Sequence, residues 1–422
     1  MSYEEYRFSN MIVKEHTFKV PLNYEDDQSS QINVFVREII KEDLKEKKLP
    51  YLIYFQGGPG YESPRPVTLS GWIKKASHHY RILLLDQRGT GRSTPIVSEN
   101  FTQKNDKEIA EYLMLYRADN IINDAEYVRK ILVGKNKKWS VLGQSFGGFC
   151  AVHYLSFYPD SLEKVFITGG LPPLNAHCDD IYRSIYKRVI FKNEVFFNTF
   201  PKAQHNARSI ADHLIKNEIY LPNGDLLTVK RFQQLGLSLG FSDGMATLNY
   251  LFENAFINKE LSYTFLKNFM SHQTFDTNPI FTILHEACYA QNFSTNWSAM
   301  RILNEFSEFN PDEGNQLLFT GEMLYPWMLD IYKNLKPFKG AANILANKDD
   351  WPTLYDKNIL RLNKVPVFAA VYENDMYVDR NYSIETAANI GNIKIWETNK
   401  YEHNGLRSDG EYILNKLFNM SY

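Results

Sequence analysis

A serine between two glycines lies at the junction of a strand pattern and a helix pattern. The segment Gly143-Gln144-Ser145-Phe146-Gly147 follows the apolar run at residues 139–142 and precedes a helical pattern at residues 148–155. Glycines on both sides allow a strand and a helix to approach closely through a tight, strained turn that exposes the serine hydroxyl. The pattern predicts an open α/β sheet with a nucleophilic Ser145 at the carboxyl end of one strand.

Short apolar runs elsewhere predict the other strands of this sheet. Continuous runs of this length are typical of strands that are buried on both faces. A helical pattern around residues 112–131 fits a crossover between parallel strands. The runs cover residues 51–55, 81–85, 165–168, 365–372 and 392–396, and a hairpin is predicted from residues 17–20 and 32–39.

The middle of the chain has a different character. From residue 171 to residue 347 it is rich in Phe, Tyr, Asn and Leu at helical spacing, with few continuous β-type runs. Strand patterns then return, and residues 411–418 predict a final helix. The sequence therefore predicts a mostly parallel central sheet flanked by helices, formed by residues 1–170 and 348–422, with residues 171–347 inserted as a mainly helical cap.

A serine nucleophile needs a base, and the base needs a carboxylate that orients it. In this arrangement the residues follow the order Ser, Asp or Glu, His along the chain, each after a strand. Asp375 follows the strand pattern at 365–372, and His403 follows the pattern at 392–396. Asp379 competes with Asp375, which we prefer, and the other histidines all precede these two strands. The predicted triad is Ser145, His403 and Asp375.

Acyl transfer places negative charge on the substrate oxygen, and backbone N–H groups must already point at it. One donor is expected to be Phe146, the residue after the nucleophile. The other is expected from the glycine-rich loop after the strand at 51–55, with Gly58 preferred to Gly57. No Lys-Ser/Thr pair follows that loop, so it does not resemble a nucleotide-binding loop.

Composition argues against several other classes of protein. A net charge of −2 provides no footprint for nucleic acid or an anionic membrane, and no apolar run is long enough to span a bilayer. The polar N-terminus does not resemble a secretory signal. Three cysteines cannot all pair and show no CxxC spacing, and no second histidine completes an H-E-x-x-H motif after His285. We expect a cytoplasmic protein without metal or cofactor, and the oligomeric state stays open.

The motifs together resemble the prolyl aminopeptidase (proline iminopeptidase) family, in particular its larger branch. The resemblance rests on the segments at residues 56–60 (QGGPG), 86–93 (DQRGTGRS) and 143–148 (GQSFGG). It implies an α/β-hydrolase fold, the same Ser145, Asp375 and His403 triad, and removal of N-terminal proline from small peptides with a free N-terminus. Many relatives carry His at the position of Gln56. The DQRGTGRS block is expected to be structural, so Arg88 receives no catalytic role.

Two segments of the predicted cap extend the resemblance. Glu286 in HEACY is similar to the family glutamate that meets the substrate amine, and Glu322 in GEMLYPWM is a second candidate. A partly desolvated carboxylate can bind a cationic amine through charge-assisted hydrogen bonds. Tyr325 and Trp327 are candidates for an apolar wall around the proline ring.

Other activities remain possible for the same triad. A broader aminopeptidase, an esterase or a lactonase would use the same nucleophile on a different substrate. Epoxide hydrolase or dehalogenase chemistry is disfavoured, because those enzymes carry Asp as the nucleophile of this turn, where this chain has Ser145. A catalytically inactive binding module would lack a member of the triad, and all three residues are present.

Overall fold

The computed structural model describes residues 4–312 and 316–421. Residues 1–3, 313–315 and 422 belong to the three predicted segments but lie outside the described residues. Within the described part, the strands are β1 (Glu4–Phe8), β2 (Met11–Pro21), β3 (Gln31–Lys41), β4 (Tyr51–Phe55), β5 (Arg81–Asp86), β6 (Trp139–Gln144), β7 (Leu162–Thr168), β8 (Phe256–Ile257), β9 (Glu260–Leu261), β10 (Val367–Tyr372) and β11 (Ile393–Thr398).

The helices alternate with the later strands and fill the region between β7 and β10. They are α1 (Gly71–Ser77), α2 (Asp106–Leu113), α3 (Ala118–Leu132), α4 (Phe146–Phe157), α5 (Cys178–Thr199), α6 (Pro201–Lys216), α7 (Val229–Gln233), α8 (Gly244–Glu253), α9 (Tyr263–Ser271), α10 (Pro279–Leu284), α11 (Ser298–Leu303), α12 (Met328–Ile331), α13 (Lys339–Asn347), α14 (Lys357–Arg361), α15 (Arg380–Ala388), α16 (Gly405–Ser408) and α17 (Gly410–Asn419).

The described strands other than β8 and β9 form one sheet in the order β1-β2-β3-β5-β4-β6-β7-β10-β11. The first three pairings in this order are antiparallel, and the five from β5 to β11 are parallel. This confirms the predicted hairpin and the mostly parallel sheet. Since parallel strands end at the same edge, residues that follow β6, β10 and β11 are brought together.

Alternate residues of the central strands face two different helical layers. On β4, Ile53 and Phe55 belong to the apolar core that contains α3 and α4. Leu52 and Tyr54 on the same strand belong to a second core with α1 and α17. All four side chains are buried, which explains why this strand is a continuous apolar run in the sequence.

Two elements differ from the sequence prediction. The helical stretch predicted around residues 112–131 is present but divided: α2 and α3 are separated at Arg117, whose backbone is extended with φ −86° and ψ 178°. The Arg117 guanidinium donates to the carbonyls of Ala290 and Pro352, which ties this break to distant loops. Strand β1 had no sequence signal because all five of its side chains are exposed.

Residues 171–347, which we call the helical segment, contain α5 to α13 and the short β8–β9 hairpin among their described residues. Their assignment as a separate cap domain stays a prediction. Of the helices that the structure describes, none is long and apolar enough to cross a membrane.

Candidate active site

Ser145 occupies a strained turn between β6 and α4. Its backbone has φ 55° and ψ −127°, a region that L-residues rarely adopt. Gly147 is required beside it, because a Cβ there would lie 1.9 Å from the carbonyl oxygen of Phe55. A Cβ on Gly148 would lie 2.3 Å from the carbonyl oxygen of Gly170. The glycines of the motif therefore allow the helix to pack directly on neighbouring backbone.

The serine opens into a cavity of about 490 Å³. Its lining combines residues that follow the core strands with residues of the helical segment. The Ser145 and His403 side chains are largely buried, with 8% and 5% of each residue exposed. The lining includes Gly57, Gly58, Tyr61, Ser145, Phe241, Phe281, Glu322, Tyr377, His403 and Arg407.

His403 and Asp375 form a buried pair. Nδ1 of His403 lies 2.7 Å from Oδ2 of Asp375, so the ring N–H donates to the carboxylate. Burial alone would lower the pKa of His403, but the Asp375 carboxylate outweighs burial and raises that pKa above its ordinary value. The other oxygen of Asp375 accepts the N–H groups of Tyr377 and Val378 at 2.8 and 3.1 Å. This carboxylate is thus fixed for orienting the imidazole.

Asp379, the competing candidate, has a different position. Its carboxylate accepts the N–H groups of Asn381 and Tyr382 at the start of α15, and the hydroxyl of Ser184. These contacts are those of a helix N-cap. Asp375, rather than Asp379, contacts the histidine.

Ser145 and His403 face the same cavity, as the order of parallel strands predicts. Among residues 4–312 and 316–421, no hydrogen bond joins the Ser145 hydroxyl to the His403 ring. Hydrogen bonds between a nucleophile and its base are often long without substrate and shorten in the complex. The arrangement can support proton transfer once substrate fills the cavity.

Of the two predicted oxyanion donors, Gly58 lines this cavity, and Phe146 directly follows the nucleophile that lines it. Phe146 is the first residue of α4, so its N–H has no acceptor within the helix and carries the positive end of the helix dipole. Gly57 and Gly58 both line the cavity. Gly57 packs against the nucleophile so closely that an added Cβ would lie 3.0 Å from the Cβ of Ser145. The choice of Gly58 as the second donor stays a prediction.

The DQRGTGRS block contacts the backbone next to the glycine loop. The amide of Gln87 donates to the backbone oxygen of Gln56 at 2.9 Å, directly before the glycines. Asp86 is fully buried, and its carboxylate accepts hydrogen bonds from both terminal nitrogens of Arg65, at 2.8 and 2.6 Å. The side chain of Gln56 accepts the Tyr54 hydroxyl at 2.9 Å. The block therefore fixes the position of the loop.

Arg88 lies away from the cavity in a buried ion pair. Its guanidinium donates two hydrogen bonds to Asp124, at 2.8 and 2.7 Å. It also donates to the carbonyls of Pro21, Leu22 and Leu115. This position fits the structural role expected from the sequence.

Glu322 is a largely buried carboxylate that lines the cavity, whereas Asp243, which also lines it, is exposed. Only 14% of its side chain is exposed, and burial raises its pKa to about 8. His285 lies 3.9 Å away, and burial lowers the pKa of that ring to about 3, so the ring is neutral at pH 7. A cationic group entering the cavity would meet a carboxylate that is poised to ionise.

Glu286, the other candidate for binding the substrate amine, has a different environment. Its two oxygens accept the N–H groups of Ser298 and Ala299 at 3.0 and 2.9 Å, at the start of α11. Burial raises its pKa to about 7, and it is not among the residues that line the cavity. Both oxygens are engaged by backbone, so Glu286 serves here as a helix cap.

The aromatic wall also differs from expectation. Tyr325 and Trp327 stack on each other at 5.6 Å, and Tyr325 pairs with the hydroxyl of Tyr186. Neither lines the cavity, whose aromatic residues are Tyr61, Phe241, Phe281 and Tyr377. Sequence reasoning missed these four because they come from separate loops and helices.

The described residues form neither a metal-binding cluster nor a disulfide. Across the described ranges, no group of three or more His, Cys, Asp or Glu side chains is placed to hold a metal ion. Cys150, Cys178 and Cys288 are buried and free.

Comparison with known proteins gives consistent matches. A sequence profile described as the alpha/beta hydrolase fold matches residues 50–205. A proline iminopeptidase of Aeromonas sobria is 47% identical over 407 residues, covering 96% of each chain. A proline iminopeptidase of Aspergillus aculeatus is 33% identical over 419 residues, covering 96% of this chain and 92% of the relative. A solved alpha/beta fold family hydrolase from Bacillus anthracis aligns with a TM-score of 0.40 at 16% identity, over 96% of this chain and 99% of that chain.

Proposed function

Because this chain belongs to the proline iminopeptidase family of α/β-hydrolases, we propose that it is a serine aminopeptidase that releases N-terminal proline from small peptides. The observation that carries the proposal is the set of side chains that line one cavity. Ser145, His403 and the buried carboxylate of Glu322 all line it. A nucleophile and a carboxyl group that can ionise beside a cation, in one partly closed space, fit a substrate whose scissile carbonyl is close to a cationic amine.

In the proposed mechanism, the Ser145 hydroxyl attacks the carbonyl carbon of the first residue while His403 takes its proton. The carboxylate of Asp375, 2.7 Å from Nδ1, orients the ring and stabilises its protonated form. The N–H groups of Phe146 and Gly58 stabilise the oxyanion. His403 then protonates the leaving amine, and a water molecule, activated by the same ring, hydrolyses the acyl-enzyme.

Glu322 supplies recognition of the substrate amine. The cavity holds this carboxyl largely protonated at pH 7, since its pKa is about 8. An incoming secondary ammonium group stabilises the ionised form by charge-assisted hydrogen bonding. The proline ring would pack on the aromatic side chains of Tyr61, Phe281 and Tyr377, which line the same cavity.

The test of this proposal is hydrolysis of proline β-naphthylamide by wild type and by Ser145→Ala. We expect the variant to lose activity and labelling by a fluorophosphonate. Ser140→Ala is a matched control, because Ser140 is buried on β6, the strand that precedes Ser145, but does not line the cavity. Equal rates for wild type and Ser145→Ala would refute the mechanism. Equal turnover of N-acetylproline β-naphthylamide would refute recognition of the amine and favour an esterase or amidase of broader scope.

A further inference from the structure

A buried lysine of the helical segment pairs with the residue directly before His403. The Nζ of Lys192, on α5, lies 2.5 Å from each of the two carboxylate oxygens of Glu402. Only 3% of the Lys192 side chain is exposed, against 25% for Glu402. Lysine is rarely buried to this extent unless it is paired. The pair therefore connects the helical segment to the loop that carries the histidine.

The next two residues of that loop are bound to the same segment. The N–H of His403 donates to the carbonyl of Gly240 at 3.2 Å. The N–H and hydroxyl of Ser242 both donate to the side-chain oxygen of Asn404, at 3.0 and 2.8 Å. Three consecutive residues of the loop thus have partners in the helical segment.

This loop has little support from the sheet itself. Strand β11 ends at Thr398, and α16 begins at Gly405, so residues 399–404 are held by side-chain contacts and turns. Moving Glu402 away would leave a buried ammonium without its partner, which is strongly unfavourable. The pair therefore restricts where the loop can lie, and with it the position of the His403 ring.

We propose that Lys192 is a positioning residue for the reaction, which acts through Glu402 to hold His403 in line with Ser145. Its two hydrogen bonds fix Glu402, and the peptide bond between Glu402 and His403 transmits that position to the ring. The proposal concerns activation of the serine, and it rests on the proposed function only for the choice of proline substrates. Misplacement of a catalytic group by about 1 Å can lower a rate by on the order of 100-fold.

The experiment measures two rates in Lys192→Met, each expressed per active site titrated with a fluorophosphonate. One is the rate constant for inactivation by the fluorophosphonate, which reports on Ser145 and His403 without any amine. The other is kcat for proline β-naphthylamide. We expect both to fall about tenfold or more, with KM changed less than threefold. Lys192→Arg, which keeps the charge, should stay within about threefold of wild type.

Arg183→Met is the matched control. Arg183 lies on the same helix, and its ion pair with Glu305 stays within the helical segment. Loss of that pair should leave both rates unchanged. If Lys192→Met does not fold, the double variant Lys192→Met/Glu402→Gln removes both charges, leaves none unpaired, and should still show the slow rates.

Several outcomes would overturn the inference. Wild-type rates per titrated site in a folded Lys192→Met, even with a lowered Tm, would show that the pair is purely structural. Wild-type rates in the double variant would show the same. Equal losses in Arg183→Met would show a general effect of charge on α5. Failure of the proposed function has a separate signature: Ser145 would be labelled normally while no proline is released.

Discussion

Glu322→Gln removes the buried carboxylate of the cavity and keeps its shape. The amide cannot ionise, so it cannot form an ion pair with the substrate ammonium. We expect kcat/KM for proline β-naphthylamide to fall, while reaction with a small ester that lacks an amine changes little. Ser145 and His403 keep their positions, because neither depends on a hydrogen bond from Glu322 in the described structure.

The expected magnitude follows from the position of Glu322. Because the pKa of Glu322 is about 8, ionising this carboxyl in the empty cavity at pH 7 costs about 1.4 kcal/mol. An ammonium at roughly 4 Å gains about 4 kcal/mol at an effective dielectric constant of about 20. The difference, about 2.6 kcal/mol, corresponds to a loss of on the order of 80-fold in kcat/KM when the carboxylate is removed.

The assay compares kcat/KM for proline β-naphthylamide with kcat/KM for p-nitrophenyl acetate at pH 7. Glu286→Gln is the control, because that carboxylate caps α11 and does not line the cavity. We expect it to lower Tm and to leave the ratio of the two substrates unchanged. Selective loss of the amine substrate in Glu286→Gln, with none in Glu322→Gln, would refute the assignment of Glu322.

Three further predictions concern stability and folding. The pKa of Glu322 in the folded chain, about 8, exceeds its ordinary value of 4.5. Ionisation of this carboxyl therefore lowers the free energy of unfolding as the pH rises from 4.5 to 8, by up to about 5 kcal/mol above pH 8. Glu322→Gln should therefore raise Tm relative to wild type at pH 9 but not at pH 4, and an equal change at both would contradict this. Arg88→Met should lower the free energy of unfolding by about 3–5 kcal/mol in urea titrations, because the Asp124 carboxylate stays buried without its cationic partner. Its kcat per titrated site should be unchanged, and a variant as stable as wild type would contradict this prediction. Gly147→Ala should yield no soluble, fluorophosphonate-reactive protein, because its Cβ would lie 1.9 Å from a backbone oxygen, and normal labelling in a soluble variant would contradict the packing.

One physical reason explains why the sequence predicted the sheet and the positions of Ser145, Asp375 and His403. Strands buried on both faces are continuous apolar runs, and parallel strands end at one edge. Residues that follow such runs must therefore meet, however far apart they lie along the chain. Strand β1 lacks this signal because its side chains are all exposed.

The helical segment was less predictable, because helix periodicity does not determine which loop faces a cavity. Glu286 and Glu322 have similar local sequences, but the left-handed backbone of Trp297, at φ 53° and ψ 56°, starts α11 beside Glu286. That turn presents two N–H groups to its carboxylate. Lys192 did leave a signal, since it falls between Val189 and Phe196 on the buried face of α5.

The most direct test of the account is the site of covalent attack. The protein is treated with a fluorophosphonate, digested and analysed by mass spectrometry, with and without excess proline amide. We predict one adduct on the peptide that contains Ser145, slowed by proline amide in wild type and much less in Glu322→Gln. An adduct on another residue, or labelling of Ser145 that proline amide never slows, would contradict the account.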